Sequence, residues 1–169
     1  LNIIANASSK TYGDADALTY TFAGLTNGDD ASVLSGNLSR AAGENVGSYA
    51  INQGTVSAGG NYTVAYTGNS LTIDPATLNI IANASSKTYG DADSALTYTF
   101  AGLVNGDDAG IISGGLNRDA GENAGTYAIN LGTVGAGANY TIDFTGNNMT
   151  ITPAMLTVVA DNRSMPYGD

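Results

Sequence analysis

The chain has 169 residues, a formal net charge of −10 at pH 7, no histidine and no cysteine. Its 15 acidic residues outnumber 5 basic ones, which excludes the lysine and arginine clusters that nucleic-acid backbones require and argues against binding to anionic lipid. No apolar run approaches the roughly 20 residues of a membrane-spanning helix, so we expect no membrane insertion. Without disulfides, a small domain must draw its stability from a β core, neighbouring units or a bound ion.

One stretch of sequence occurs three times. Residues 1–14 read LNIIANASSKTYGD, residues 78–91 repeat them letter for letter, and residues 156–169 read LTVVADNRSMPYGD. Such recurrence is typical of tandem repeats. We expect one unit at 1–77, a second at 78–155, and the first strand and Tyr-Gly-Asp loop of a third, truncated repeat at 156–169. A unit that starts near Tyr12 and ends with the strand at 78–82 fits the same pattern.

Two strands are predicted at the start of the unit. In residues 1–6, Leu1, Ile3 and Ala5 share one face, and Ile4 on the other face predicts a central strand with both faces partly covered. Residues 18–22 alternate apolar side chains with threonine, which predicts a half-buried strand.

The middle of the unit is predicted to hold short elements. Asp29 is placed to cap a single helical turn, and a short strand is expected around residues 38–40. Residues 48–56 form a longer predicted strand, with Tyr49 and Ile51 on one face.

The end of the unit has the clearest pattern. Residues 62–66 alternate, residues 67–69 contain Thr-Gly-Asn, and Leu71 and Ile73 alternate again, which predicts a β-hairpin. Only four residues, including Pro75, then precede the next unit. Because proline fixes its own φ and favours extended geometry before it, we expect a stiff connection between units.

These elements predict a mainly β fold with tandem small β-domains of about six short strands each, arranged end to end. A full immunoglobulin domain needs about 100 residues. Both a β-grasp-like sheet and an immunoglobulin-like sandwich therefore stay open.

Several motifs together resemble a known repeat. They read K-T-Y-G-D, L-T-Y-T-F-A-G-L-x-N-G-D, G-E-N-x-G-x-Y-A-I-N, N-Y-T and L-T-I-x-P-A, and in the first unit they lie at residues 10–14, 18–29, 43–52, 61–63 and 71–76. This pattern is similar to the MBG repeat, also called the YDG or YGX type. The resemblance implies tandem extracellular repeats of large bacterial surface or secreted proteins, such as filamentous-haemagglutinin-like adhesins, and it implies no active site. The third copy departs from the pattern, with Met165 and Pro166 in place of lysine and threonine.

Few residues suggest catalysis. Without histidine or cysteine, a nucleophile would need a serine activated by lysine, and each unit has one such lysine near two serines. These residues are Lys10, Ser8 and Ser9, and Lys87, Ser85 and Ser86. A loop lysine near serines is usually solvated, so we expect no enzyme and assign no catalytic residue.

Acidic loops leave a calcium site open. Asp14, Asp16, Asp29 and Asp30 supply carboxylates in glycine-rich loops, and calcium prefers six to eight oxygen ligands. The later ligands of an EF-hand are missing, and aspartate with glycine is also ordinary turn chemistry. We therefore expect no cofactor and assign no metal or cofactor-binding residue.

The sequence is also compatible with two covalent modifications. Lys10 could form an isopeptide crosslink with an asparagine, although Met165 replaces the lysine in the third copy. Asn6, Asn37 and Asn61 begin Asn-x-Ser/Thr triplets that could accept glycans in a secreted protein.

Tyrosines are the last candidates. Tyr20, Tyr49, Tyr62 and Tyr66 could present an aromatic face to a sugar, but tyrosines at period two in strands more often pack in the core.

The sequence thus favours a structural stalk or spacer repeat of a bacterial cell-surface or secreted adhesin. The alternative is a binding module whose repeats engage host glycan or protein. We expect an extracellular monomer whose partners are neighbouring repeats in the same chain, and a host-surface glycan or protein if the alternative holds.

Overall fold

The computed structural model of the chain describes residues 1–165, 167 and 168. This part holds fourteen β-strands and two short 3₁₀ helices, and no α-helix lies within it. The mainly β fold predicted from the sequence is confirmed. The Tyr-Gly-Asp loop predicted for the third repeat includes Pro166 and Asp169, which lie outside the described residues.

Seven strands lie in the first 74 residues. They are β1 (Asn2–Ala5), β2 (Ser8–Thr11), β3 (Tyr20–Ala23), β4 (Ser39–Arg40), β5 (Gly47–Asn52), β6 (Ala65–Thr67) and β7 (Asn69–Asp74). The next seven repeat the same order. They are β8 (Ala76–Ala82), β9 (Ser85–Thr88), β10 (Tyr98–Ala101), β11 (Asn117–Arg118), β12 (Gly125–Asn130), β13 (Tyr140–Thr145) and β14 (Asn147–Thr152). Each set is one strand richer than the six expected.

Each set of strands forms two small sheets. The first has the orders β3-β1-β6 and β2-β7-β5-β4, and the second has β10-β8-β13 and β11-β12-β14-β9. The central strands β1 and β8 pair antiparallel with one neighbour and parallel with the other. Every described ladder joins strands of the same set. The division into units at 1–77 and 78–155, and the alternative that starts near Tyr12, stay predictions.

The strands of both sheets alternate buried and exposed side chains, and the buried side chains form the core of the unit. Ile3, Ile51, Leu71 and Ile73 are at most 1% exposed, and the last three belong to one buried cluster. Burying an aliphatic side chain of this size stabilises the fold by roughly 1.5–3 kcal/mol. In β8 every second residue is buried, from Ala76 to Ala82.

The predicted hairpin is wrong. β6 pairs in parallel with β1, whereas β7 pairs with β5 and β2, so the chain crosses from one sheet to the other at Gly68. Alternation and a Thr-Gly-Asn turn describe two adjacent strands, but they do not state which partner each strand takes. The second unit makes the same crossing between β13 and β14.

The first strand was predicted correctly as a central strand, but the prediction that both of its faces are partly covered is wrong. β1 is the central strand of its sheet, but only one face is buried, and Ile4 is 47% exposed. Ile81, its equivalent in β8, is 48% exposed. No second layer covers the outer face of this sheet among the described residues.

The helical turn exists, but its cap was misassigned. Residues Ala31–Val33 form a 3₁₀ helix whose N-cap is Asp30, which accepts a hydrogen bond from the Ser32 backbone N–H at 2.8 Å. Asp29 instead accepts a hydrogen bond from Tyr62. The predicted strand at 48–56 is also shorter, because β5 ends at Asn52.

Residues 153–165 contain no strand, although their sequence resembles β1 and β8. Leu156, Val158 and Val159 are at least 80% exposed. β8 is held by β10 and β13, which lie further along the chain. No strand of the described residues pairs with residues 153–165.

Candidate functional site

The most elaborate polar and aromatic arrangement in the chain lies between the two units, and we call it the joint. It consists of the connection through Pro75, the loop at Tyr12 and Gly13, the loop at Asn45 and Val46, and the facing loops of the second unit at residues 104–107 and 139–140. β7 ends at Asp74 and β8 begins at Ala76, so only Pro75 separates the strands of neighbouring units. The predicted direct connection is therefore present.

Tyr12 is the centre of the joint. Its side chain is 4% exposed, and its ring meets that of Tyr140 edge to face with centroids 5.5 Å apart. Its hydroxyl donates to Asp107 Oδ2 at 3.0 Å and accepts from Asn105 Nδ2 at 3.0 Å. Edge-to-face aromatic pairs contribute roughly 0.5–1.5 kcal/mol beyond the burial of their area. Tyr12 therefore joins an apolar contact to a fully paired hydroxyl.

Tyr140 prepares the surface that receives Tyr12. Its hydroxyl donates to Asp107 Oδ2 at 2.8 Å and accepts from the Val104 backbone N–H at 3.0 Å. Burial, with a smaller contribution from Asp107, raises the pKa of Tyr140 above its ordinary value. The hydroxyl thus keeps its proton at neutral pH, and Asp107 receives two phenolic donors.

A second polar contact lies beside the tyrosines. Asn139 accepts from the Val46 backbone N–H at 2.9 Å through Oδ1, and its Nδ2 donates to Asn45 Oδ1 at 3.0 Å. The backbone of Asn139 also accepts from the Ala76 N–H at 3.0 Å. One asparagine of the second unit therefore contacts both the first unit and the connection.

Gly13 lets the two units approach closely. It has φ +92°, and a Cβ added there would lie 2.7 Å from Val104 Cγ2. A side chain would need both a strained backbone and a shift of the neighbouring unit. Tyr12 therefore fills the joint with its side chain, whereas the next position, Gly13, has no room for a side chain.

The buried clusters reflect this contact. One cluster contains Ile73 and Tyr12 of the first unit together with Leu78, Val134 and Tyr140 of the second. The apolar core is therefore continuous across the joint.

A second arrangement occurs once in each unit, and we call it the ion cluster. In the first unit Lys10 Nζ lies 2.8 Å from both Asp16 Oδ1 and Glu44 Oε2, and Arg40 Nε lies 2.6 Å from Asp16 Oδ2. Arg40 also pairs with Glu44 and lies over the Tyr49 ring, 5.2 Å from its centroid. Lys87, Asp93, Arg118, Glu122 and Tyr127 repeat the cluster in the second unit.

Each charge in the ion cluster is compensated. Hydrogen bonds from Arg118 and then Lys87 lower the pKa of Asp93 from 3.8 to about 2. Hydrogen bonds to Asp16 and then Glu44 raise the pKa of Lys10. The side chains of Lys10 and Arg40 are only 6% and 8% exposed, so the cluster links β2 and β4, the two edge strands of this sheet, with two loops.

Comparison with known proteins agrees with the two-unit organisation. The family described as MBG domain (YGX type) matches the chain twice, over residues 1–72 and 78–150. The chain belongs to this family. No curated protein and no solved structure matches the chain. The resemblance noted from the sequence is thereby confirmed, and the joint is a contact between two MBG domains.

The lysine and serines considered for catalysis are not arranged for it. In each MBG domain the lysine side chain lies between two carboxylates, and its raised pKa keeps it protonated rather than basic. Ser8 donates to the Ala17 carbonyl, and Ser85 shares a hydrogen bond with Ser94. A protonated lysine cannot accept the proton of a nucleophilic serine.

The four aspartates considered for calcium have separate roles. Asp14 accepts from the Thr11 backbone N–H, and Asp16 belongs to the ion cluster. Asp29 accepts from Tyr62 and Asp30 caps the 3₁₀ helix. Within the described residues, no group of three or more histidine, cysteine, aspartate or glutamate side chains is arranged to hold a metal ion.

The possible crosslink at Lys10 and the possible glycan sites at three asparagines differ in their surroundings. Lys10 is hydrogen-bonded to Glu44 and to the Asp14 carbonyl, and no asparagine is among its described partners. Asn37 and Asn61 are exposed, whereas Asn6 donates to Thr19 Oγ1 at 2.9 Å.

The four tyrosines do not form one exposed face. Tyr49 donates to the Asn45 carbonyl and Tyr66 to the Ile51 carbonyl. Tyr62 donates to Asp29 at 2.7 Å. Tyr20 is half-buried in β3 and lines an open cleft of about 320 Å³ with Leu18, Asp16 and Arg40.

Tyr12 was not among the residues that the sequence predicted for a site. The identical Tyr-Gly-Asp loops marked its position, and the pattern Asn-Gly-Asp at 105–107 marked its acceptor. Nothing in a single sequence stated that these two motifs meet across a domain boundary. No helix in the described part of the chain is long and apolar enough to cross a membrane.

Proposed function

We propose that the chain is a structural spacer of a bacterial cell-surface or secreted adhesin, and that its MBG domains hold a functional domain away from the cell. The observation that carries this proposal is the joint. A single residue, Pro75, separates the strands of neighbouring domains, and Tyr12 is buried between them. A chain of domains with such contacts extends without a flexible linker.

Three features of the joint support a defined angle between the domains. Proline restricts the connection. Tyr12 makes a directional pair of hydrogen bonds with Asp107 and Asn105, and Asn139 contacts the loop beside it. Repeat proteins in which each unit contacts only its neighbours behave as approximately one-dimensional structures, which suits a spacer.

The surface chemistry supports the same role. The net charge of −10 favours solubility and repulsion between neighbouring molecules. The ion cluster replaces the disulfides that small secreted domains often use, because it links the loop at Asp16 with strands β2 and β4 without cysteine chemistry. An extracellular location is part of the proposal, in line with the adhesin-like setting typical of the family.

The proposal is tested by measuring the distance between the domains. Spin labels at Thr72→Cys and Thr150→Cys occupy equivalent exposed sites on β7 and β14, and the chain has no other cysteine. We expect double electron–electron resonance to give one narrow distance distribution. Tyr12→Ala should broaden it, because the buried contact is lost, whereas Tyr89→Ala should leave it unchanged.

A broad distribution in the unchanged chain would contradict the spacer proposal. An equally narrow distribution in Tyr12→Ala would show that Pro75 alone fixes the angle and that the tyrosine is dispensable.

A binding module is the second candidate function, and the cleft at Tyr20 favours it. A half-buried ring beside Asp16, Asn37 and Arg40 offers one stacking face and several polar groups, which suits a saccharide. However, Asp16 and Arg40 are already paired with each other. Binding to a glycan array that is lost in Tyr20→Ala and retained in Tyr49→Phe would favour this candidate, and no binding would exclude it.

A further inference from the structure

The joint is formed by residues that are almost identical in the two copies of the repeat. The residues with the same identity in both copies are Tyr12, Gly13, Asn45, Pro75, the Asn-Gly-Asp sequence at 105–107, Asn139 and Tyr140. The other two residues of the joint differ from their equivalents. Val46 corresponds to Ala124 in the second domain, and Val104 corresponds to Thr26 in the first. At both positions, the residue that takes part in the joint is the larger or the more apolar of the two.

Val104 lies directly against the first domain. A Cβ added to Gly13 would lie 2.7 Å from Val104 Cγ2 and 2.8 Å from its Cβ. The Val104 side chain also packs against the buried cluster that spans the joint, and its backbone N–H donates to the Tyr140 hydroxyl at 3.0 Å. Val104 therefore presents apolar surface to the loop at Tyr12 and Gly13, while its backbone holds the tyrosine that receives Tyr12.

Threonine at this position keeps the fold and changes the chemistry. The backbone N–H of Thr26 donates to the Tyr62 hydroxyl at 3.1 Å, as that of Val104 does to Tyr140. The two positions therefore differ in the side chain and not in the local structure. Threonine has nearly the shape of valine, but a hydroxyl replaces one methyl group. A hydroxyl placed against Gly13 gives up contact with water, which costs free energy unless a new hydrogen bond forms.

A second exchange of this kind occurs beside the cluster that spans the joint. Leu131 packs against that cluster, and its carbonyl accepts from the Val134 backbone N–H at 3.2 Å. Its equivalent in the first domain is Gln53, whose Nε2 donates to the Val56 carbonyl at 2.8 Å. The second domain thus carries aliphatic side chains against the cluster at two positions where the first domain carries polar ones.

From these observations we propose that the joint selects its partner domain through Val104, with Leu131 as a second contributor. The loop at Tyr12 and Gly13 accepts an MBG domain that carries an aliphatic residue at the Val104 position, and it discriminates against a domain that carries threonine there. The hydrogen bonds of the joint use residues common to both domains, so they set its geometry without distinguishing one domain from the other. This inference rests on the proposed spacer function and adds the kind of neighbouring domain that a joint accepts.

Selection at this residue affects the stiffness of an array. In a linear repeat protein the stability of each contact depends on the two units that form it. A joint with valine at the Val104 position stays closed, whereas a joint with threonine there opens more readily. An array of MBG domains therefore has joints of unequal stiffness wherever this residue differs.

Hydrogen exchange measures the opening of the joint at a single amide. The Val46 backbone N–H donates to Asn139 Oδ1 at 2.9 Å across the joint, so its exchange requires the joint to open. We expect Val104→Thr to raise the exchange rate of this amide, measured by NMR in the whole chain, by roughly 5- to 30-fold. The amide of Ile129, which is buried in β12, should keep its rate because it reports unfolding of the second domain.

The reverse exchange is the matched control. Thr26→Val makes the opposite change at an exposed position outside the joint, so the exchange rate of the Val46 amide should stay the same. Val104→Thr combined with Leu131→Gln should raise that rate further than Val104→Thr alone.

The inference is overturned if the Val46 amide exchanges equally fast in Val104→Thr, Thr26→Val and the unchanged chain. It is also overturned if Val104→Thr accelerates Ile129 as much as Val46, since the threonine would then loosen the whole domain. In both cases a slow rate at Val46 in the unchanged chain leaves the spacer proposal standing. A Val46 amide that exchanges in the unchanged chain as fast as an open loop would overturn both proposals.

Discussion

Tyr12 and Tyr89 provide a comparison in which the local sequence is the same and only the neighbouring domain differs. Tyr12→Ala removes a buried aromatic ring and should lower the free energy of unfolding by about 3–5 kcal/mol. Tyr89→Ala changes a half-exposed ring and should stay within about 0.5 kcal/mol. Urea unfolding followed by tyrosine fluorescence measures both. Equal losses in the two variants would mean that the ring acts within its own domain and not across the joint.

Gly13 and Gly90 form a second matched pair. Both have left-handed φ, +92° and +94°, so alanine at either position costs about 1–2 kcal/mol in backbone strain. An added Cβ meets Val104 at 2.7 Å only at Gly13, and nothing lies within 4 Å at Gly90. We expect Gly13→Ala to cost about 1–3 kcal/mol more than Gly90→Ala, which is the usual range for overpacking.

The difference between the two alanine variants is measured by thermal unfolding under identical conditions. Because both carry the same backbone strain, subtraction isolates the contact with the second domain. A difference near zero would mean that the domains move apart at no cost, and the joint would then not be tightly packed.

The sequence predicted individual buried residues better than their partners. Alternation identified Ile3, Leu71 and Ile73 as core residues because burial follows a local period of two. It did not identify Tyr12, since its two hydrogen-bond partners are more than 90 residues away. The spacing of charged residues likewise gave no sign that Lys10 and Glu44 meet, because that contact depends on how the sheets fold together.

The strands show a similar division between local and distant information. The positions of β1, β3, β4 and β5 followed from composition and periodicity. The predicted hairpin failed because β6 and β7 have partners in different sheets. The packing of the two sheets decides which strands pair. The turn residues between two strands do not show whether both strands join the same sheet.

The ion cluster should make the second domain sensitive to acid. The pKa of Asp93 is lowered to about 2 from 3.8, so its contribution to stability is complete above about pH 4 and is lost as the pH falls through about 2. Asp93→Asn should lower the urea midpoint at pH 7 and flatten the loss of stability between pH 4 and pH 2. Asp143→Asn, at an exposed position on β13, serves as the control.

Parallel acid profiles for Asp93→Asn and the unchanged chain would contradict this prediction. The basic residues of the cluster have the opposite pH dependence: their contribution to stability is lost as the pH rises. The raised pKa of Lys87 contributes stability that is present below its ordinary value of 10.5 and is lost as the pH rises above it. The cluster should therefore be intact throughout the neutral range.

For the molecule as a whole, the main prediction is that its extension depends on the joint and not on calcium. The aspartates in the loops already serve other partners. Asp16 is paired with Lys10 and Arg40, and Asp29 accepts from Tyr62. Small-angle X-ray scattering should give the same elongated profile with a chelator and with millimolar calcium. A profile that becomes more extended with calcium would place a metal in the acidic loops and contradict the prediction.

Insertion variants, measured by the same scattering experiment, test whether the length of the connection at Pro75 fixes the angle between the domains. A Gly-Ser insertion after Pro75 lengthens the link between β7 and β8, so that Tyr12 and Asn139 no longer meet their partners without strain. We expect a broader distribution of scattering distances, because the two domains then sample many angles. The same insertion after Pro153 should leave the distribution unchanged, since that residue follows the last strand, β14. If both insertions give the same profile as the unchanged chain, the length of the connection is not what fixes the angle, and the contacts of Tyr12 must hold the domains by themselves.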